Sequence, residues 1–344
     1  EGVGGDELQK LAKILNAIDV NSSRENSLLN ELYLGRLRGK AQGDISAYFL
    51  AVAYGLCDYW TIMVGAPWVR ASVKADLWFE PGRDPRTLEP RIGDVGSFTD
   101  LKEGLAKAAN ITTETINSTI EAKGYRAINN GWKYQGIGDS ILGSVLISSF
   151  NLNSKVRSYN SLTTLFSIPT GYVDDPDILT DVSIGKGYYQ LSNRISSRLI
   201  YQHQYWFGLD FTYGYGFPTT MKKRIPKTNE SLIDPDRKIN VNLNPGSDID
   251  SGVAIGYVFS VFKLQYKLGF KKHTKDYYKG SIDGNYDVLS KDSALSQIYH
   301  EPSIMIDTIQ QYRQNKFFIP MMIILNAHFP ITARNSLDER YIEL

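Results

Sequence analysis

The sequence predicts an all-β fold, a transmembrane antiparallel up-and-down β-barrel of about 12 strands (roughly 10–14). Three observations predict it. Apolar and polar side chains alternate over segments of about 9–11 residues, the length a tilted strand needs to cross a bilayer. No apolar run reaches the roughly 18 residues of a spanning helix; the longest, Phe317 to Leu325, is shorter and contains Pro320. Tight connections mostly alternate along the chain with long polar ones, as they do when strands run up and down between two unlike rims.

The clearest segment is Tyr205 to Tyr215, with Tyr205, Phe207, Leu209, Phe211, Tyr213 and Tyr215 on one face and Trp206, Gly208, Asp210, Thr212 and Gly214 on the other. In Phe262 to Phe270, Phe262, Leu264, Tyr266, Leu268 and Phe270 alternate with Lys263, Gln265, Lys267 and Gly269. Ser251 to Phe259 repeats the pattern, and Tyr48 to Leu56 opposes large residues to Ala47, Ala51, Ala53 and Gly55. In Tyr189 to Leu199, Asn193 and Ser197 interrupt the apolar side. A soluble sandwich also alternates. Aromatic residues at the ends of the apolar faces, and Gly, Ala and Ser opposite them, favour a barrel with interfacial girdles and a crowded lumen.

Cys57-Asp58, Leu152-Asn153-Ser154 and Asn244-Pro245-Gly246-Ser247 read as tight turns; Lys74 to Gly131, Met221 to Arg237 and Lys271 to Asp292 read as long loops. Residues 1–30 form a separate unit, a helix from Asp6 to Asp19 with Leu11, Ile14, Leu15 and Ile18 on one stripe, acting as a plug or periplasmic extension. Residues 31–344 make the barrel, with a loop insertion at about 74–131. Within that loop Leu101, Leu105 and Ala108 fit a helix capped by Ser97 or Thr99. Ile116 and Ile120 fit a second, opened by Thr112 or Thr113. Such a loop is a lid or constriction, or a surface decoration.

With 38 basic and 37 acidic residues, bulk charge draws in neither nucleic acid nor another polyanion. The lone Cys57 forms no internal disulfide. The chain does not open on a charged segment leading into an apolar core, so an outer-membrane location implies a mature form whose signal peptide has been removed.

Enzyme chemistry is not expected, nor a cofactor. His203, His273, His300 and His328 are scattered, without zinc-type spacing. His328 beside Asn326 comes nearest to a hydrolase arrangement, and its plain role is a polar strand residue. Asp174, Asp175, Asp177 and Asp181 offer oxygen ligands of the kind calcium prefers, although such runs are usually solvated loops. Arg194, Arg198, Asp210, Lys263 and Lys267 sit on polar faces and are the lumen-lining candidates. Facing lipid near the midplane would cost each lysine or arginine about 2–4 kcal/mol. As a lining they either select anions or pair with acids such as Asp210 into a structural network.

Two motifs, GIGDSILGSVLISS at Gly136 to Ser149 and SLTTLFSIPTGYVDDPD at Ser161 to Asp177, resemble the outer-membrane proteins of the phenol-degradation (MetA-pathway) type. In that family a Gly-x-Gly-Asp turn opens one strand and Pro-Thr-Gly closes the next. YGLCDYWTIMVGAPWV at Tyr54 to Val69, NLNPGSDIDSGVAIGY at Asn242 to Tyr257, and Ala333-Arg334-Asn335 are similar to further family segments. The broader relatives are FadL-type transporters, whose Asn-Pro-Ala plug motif is absent here, and the chain ends on Leu344 where the family commonly ends on an aromatic residue. The resemblance implies an outer-membrane channel of a Gram-negative bacterium for passive uptake of small hydrophobic or aromatic molecules, with membrane lipid and a small solute as partners. The alternative is a scaffold barrel with a filled lumen whose loops bind other proteins. Apart from the resemblance, Gly136 and Gly138 permit a tight turn, Asp139 can accept from nearby amides, Pro169 can end a strand, and Gly171 can free the chain into a loop.

Overall fold

The structure, a computed structural model, describes residues 35–81, 112–228, 232–291, 293–308, 312, 316, 318–319, 321–335 and 341–343. The helix expected at Asp6 to Asp19 and the one carrying Leu101 and Leu105 lie outside the described residues. The elements, in chain order, are β1 (Gly35–Cys57), β2 (Trp60–Pro81), α1 (Thr113–Ala122), β3 (Trp132–Ile137), β4 (Ser140–Asn151), β5 (Val156–Ile168), β6 (Gln190–Tyr201), β7 (Tyr205–Gly216), β8 (Thr219–Arg224), β9 (Lys238–Asn244), β10 (Asp248–Phe259), β11 (Phe262–His273), β12 (Tyr277–Lys279), α2 (Asp287–Ser290), β13 (Leu295–Asp307), β14 (Met322–Arg334) and β15 (Tyr341–Glu343).

One 12-stranded antiparallel sheet takes its strands in chain order, β1-β2-β4-β5-β6-β7-β10-β11-β13-β14-β15, with β3 also on β2; β12-β9-β8 form a separate three-stranded sheet. Among the described residues no ladder joins β1 to β14 or β15. The sheet is inside-out by the standards of a water-soluble protein. On β7 and β11 the apolar residues are the uncovered ones: Phe207, Phe211, Leu264 and Leu268 are 42 to 49% exposed, and no second layer of described residues lies over them. On the opposite face the side chains of Lys267 and Asp210 are 13% and 12% exposed.

β4, β5 and β6 place polar residues on the apolar face, and these partner one another. Thr164 donates to Asn193 Oδ1 (2.8 Å), Ser197 to Asn160 Oδ1 (2.7 Å), and Asn160 Nδ2 to Ser158 Oγ (3.0 Å). Internal partners lower the cost of holding an amide or hydroxyl on an apolar surface. Asn193 and Ser197 therefore interrupt the pattern without breaking the face.

Short turns cluster at one rim: Asp58-Tyr59, residues 152–155, residues 202–204 and residues 260–261. Asn153 Oδ1 accepts from the amides of Lys155 and Val156 (2.9 and 2.8 Å), an Asx turn. Gln202 and His203 both take positive φ (49° and 61°), the geometry of a type I′ hairpin, whose twist matches that of the flanking strands. The connection 308–321 is the longer exception at this rim. The other rim carries the described residues of the longer connections, 112–131, 169–189, 217–228, 232–247, 274–291 and 293–294.

Three expectations need correction. β2 continues to Pro81, so the long connection starts there and not at Lys74. Asn244 to Ser247 is not a hairpin turn: it leads from β9 of the small sheet to β10 of the large one. Gly136-Ile137-Gly138-Asp139 does not reverse the chain either. Gly138 N donates to Pro67 O (2.8 Å), so β3 and β4 lie end to end along β2 with a break between them. The second loop helix forms where expected, as α1, with Thr112 Oγ1 accepting from Thr115 N (3.2 Å).

Candidate functional site

Strand alternation and register gather the five lumen candidates on the polar face, where Asp210 and Lys267 are shielded and Arg194, Arg198 and Lys263 are more open. Arg194 Nη2 lies 3.2 Å from Asp210 Oδ1, and Lys267 Nζ lies 3.3 Å from Asp210 Oδ2 and 3.9 Å from Asp250 Oδ1. Tyr299 donates to Asp250 Oδ1 (3.1 Å) and its ring lies 5.5 Å from the Lys267 ammonium. The cluster spans β6 to β13 because Gly252 leaves the room: a side chain there would run into Lys267 and come within 3.2 Å of Asp210 Oδ2. Lys263 Nζ pairs with Asp307 Oδ2 at 2.6 Å. Arg198 stands apart, its guanidinium 4.7 Å from the centroid of Trp206. Three of the four cations are thus ion-paired, two of them in one network, and Asp250, Asp307 and Tyr299 are partners that sequence reasoning missed.

Three of the five turn-motif residues, Gly138, Asp139 and Gly171, meet at the long-loop rim in one hydrogen-bonded knot; Gly136 pairs with Val69 in the β2–β3 ladder. Asp139 Oδ1 accepts from Gly171 N (3.0 Å) and Oδ2 from Lys186 N (2.8 Å). Thr170 Oγ1 donates to Gly138 O (2.7 Å) and accepts from Ser140 N (2.9 Å). Gly171 packs on Gly185 so closely that a Cβ at Gly171 would stand 2.8 Å from Gly185 Cα. The rim continues through Lys186, whose ammonium donates to Gln190 Oε1 (2.7 Å) and Asp248 Oδ2 (3.0 Å). His273 ends the chain of contacts, with Nδ1 2.6 Å from Asp248 Oδ1 and Nε2 3.0 Å from Asp276 Oδ1. Both nitrogens donate when the ring is an imidazolium.

Above this rim β8, β9, β12, α1 and the 169–189 loop pack into a cap around the fully buried Ile225 and Val241. Arg224, also buried, spends its guanidinium on Asp177 Oδ1 (2.9 Å from Nε, 2.6 Å from Nη2) and on the carbonyls of Lys123, Gly124 and Ile233 (2.6–2.7 Å). It lies 3.9 Å from the centroid of Tyr125. Lys238 Nζ reaches Asp177 Oδ2 (2.6 Å), and Lys223 Nζ reaches Asp174 Oδ2 (2.5 Å). Asp181 Oδ2 accepts from Tyr172 Oη (2.7 Å) and Asp175 N (2.6 Å). Burial pushes the Asp177 carboxyl up, but Lys238 and Arg224 outweigh it and hold it below the ordinary value. For Asp181 burial wins and the shift is upward. Burial, then the Asp181 contact, pushes the Tyr172 phenol up to about 12. The acidic run thus spends its oxygens on cations, an amide and a phenol, and no metal-holding group of three His, Cys, Asp or Glu occurs among the described residues. A cavity of about 430 Å³ beside it is lined by Tyr172, Asp174, Asp175, Met221, Lys222 and Lys238.

The histidines stay apart. His328 is buried with its ring 4.6 Å from Tyr299, while His300 lies between Tyr266 and Phe329 (5.7 and 5.2 Å) on the apolar face.

No family model matches the chain, and no curated protein matches it. Among solved structures it is similar to the crystal structure of an outer membrane channel from Pseudomonas putida F1. That likeness has 10% sequence identity and a TM-score of 0.48, over 88% of this chain and 80% of that one.

Two outcomes follow from the rim and the cap. Asp139→Ala leaves the amides of Gly171 and Lys186 without their acceptor and is expected to cost about 1–3 kcal/mol, read as a lower thermal midpoint in detergent. Arg224→Ala strands three carbonyls and leaves Asp177 with Lys238 alone. Since Asp177 is one-third exposed, a loss of roughly 3 kcal/mol, the low end for breaking a buried pair, is expected as faster protease cleavage in 217–247. The Asp177 contribution is complete above the ordinary aspartate range and is lost as pH falls through its lowered value. The difference between variant and wild type should therefore narrow in acid.

Proposed function

We propose that this chain is an outer-membrane β-barrel that closes on its polar face and lets small molecules cross by diffusion, without ATP or covalent chemistry. The observation that carries the reading is the inverted sheet: exposed Phe207, Phe211, Leu264 and Leu268 on one side, the shielded Lys267–Asp210 pair on the other. Hydrocarbon is the medium that favours such a surface, and a closed ladder satisfies the strand backbone there. No described helix is long and apolar enough to cross a membrane. In this reading the partners are membrane lipid and a small solute, with hydrophobic or aromatic solutes favoured by the family resemblance.

A scaffold barrel with a filled lumen is the second reading, favoured by the way Arg194, Lys267 and Lys263 are tied to Asp210 and Asp307 across the polar face. Discrete current steps in planar bilayers are expected for the channel. No current before or after deletion of residues 97–123 would support the scaffold. Extraction without detergent would sink both. Leu209→Arg, on the apolar face, should cost about 2–4 kcal/mol in unfolding from lipid vesicles, whereas Thr212→Arg, on the polar face, should cost under about 1 kcal/mol.

A further inference from the structure

The four consecutive strands β4 to β7 contain three cationic residues, Arg157, Arg194 and Arg198, and a single acid, Asp210. That acid is already shared by Arg194 and, from β11, Lys267. Arg157 donates through Nη2 to Ser149 Oγ (2.9 Å). Arg198 differs from every other cation proposed for the lumen: among the described residues no carboxylate lies within ion-pair distance of it, and its contact is with the indole of Trp206.

The surroundings make this a shaped place. In register, Arg198 sits between Tyr159 of β5 and Gly208 of β7, and Gly256 of β10 faces Trp206. A Cβ at Gly208 would stand 2.9 Å from the indole and 3.4 Å from Arg198 Cγ, and one at Gly256 would collide with the indole. The two glycines are thus a shelf on which the indole lies, and Arg198 extends over it. A cation–π contact uses the face of the guanidinium and leaves its N–H edge free. Such an edge matches the two oxygens of a carboxylate in a bidentate pair, and aromatic surface beside it suits a flat apolar ring.

We propose that Arg198 and Trp206 form a subsite for a small aromatic carboxylate on the polar face. The proposal rests on that face lining a solute pathway. Arg198 takes the carboxylate edge-on, Trp206 holds the guanidinium in place, and Tyr159 flanks the ring. Tied to Asp210 and Asp307, Arg194, Lys263 and Lys267 shape the pathway without competing for the anion.

The test is calorimetric titration of the full chain in detergent micelles with sodium benzoate, and with benzyl alcohol as the uncharged counterpart, after heat-modifiable gel migration has shown each variant folded. Saturable benzoate binding is expected for wild type and weaker binding of benzyl alcohol. Arg198→Gln should weaken benzoate at least about tenfold, the scale of one charge-assisted pair, and Arg198→Lys less. Trp206→Phe should fall between wild type and Arg198→Gln. Equal binding by Arg198→Gln and wild type would overturn the subsite, as would equal binding of benzoate and benzyl alcohol. Bilayer recordings separate the two claims. Current without benzoate binding removes the subsite and keeps the channel; Arg198-dependent binding without current keeps the subsite and removes the channel.

Discussion

Charge on the shielded side of a single sheet and uncovered hydrocarbon on the other cannot be stable in water, and the remaining architecture follows from how that inversion is maintained. Two large aromatics on the polar face rest on glycines of neighbouring strands. Trp206 lies on Gly208 and Gly256, and Tyr299 covers Gly269. Without the glycines those rings would be forced outward and strands would separate. With them, the polar face around Lys267, Asp210 and Tyr299 packs closely, while the apolar face stays a plain surface of Phe, Leu, Ile and Tyr. The few polar groups on that surface hydrogen-bond sideways to each other, which is what an environment without water demands of them.

At the rim the chain must pass from one environment to the other, and charge reappears on both sides of the passage. The Asp139 knot ties the β3–β4 break to the start and end of the 169–189 loop, and Lys186 ties that loop to β6 and β10. From there the acids of the loop reach Lys223, Arg224 and Lys238 of the small sheet. The cap is therefore not a set of independent loops. Arg224 alone links α1's C-terminal turn, the acidic loop and the segment before β9, so the connections at this rim share one fold and one set of charges.

Strand identity and facing were legible because period-two alternation is a local property: Tyr205 to Tyr215 and Phe262 to Phe270 emerge as β7 and β11 with the faces as read. The position of Arg194, Arg198, Asp210, Lys263 and Lys267 on one face was legible for the same reason. Partners were not. Glycine freedom at Gly136 and Gly138 allows a turn or a break, and the choice was made by Pro67 O, a residue far back in the chain. Asp139 looked like a local turn residue because its acceptors' true donors, Gly171 and Lys186, lie 32 and 47 positions away. Pro245 likewise marks a change of sheet, which no local signal distinguishes from a hairpin. The acidic run read as solvated because nothing near it in sequence shows that Arg224 and Lys238 fold over it.

A net charge of +1 for the whole chain conceals an uneven distribution. On their polar face strands β10, β11 and β13 hold four acids, Asp248, Asp250, Glu301 and Asp307, against Lys263, Lys267 and Lys271, with His273 on Asp248. Strands β4 to β7 hold Arg157, Arg194 and Arg198 against Asp210 alone. In a sheet that closes on its polar face, one wall is close to neutral and the adjoining wall is cationic. Screening acts over about 8 Å at physiological ionic strength, comparable to the reach of these side chains, so a solute feels the wall it is near and not the sum. Whole-chain charge says nothing about which ions such a passage prefers. In the proposed passage that preference would turn on Arg198, the cation with no aspartate beside it among the described residues.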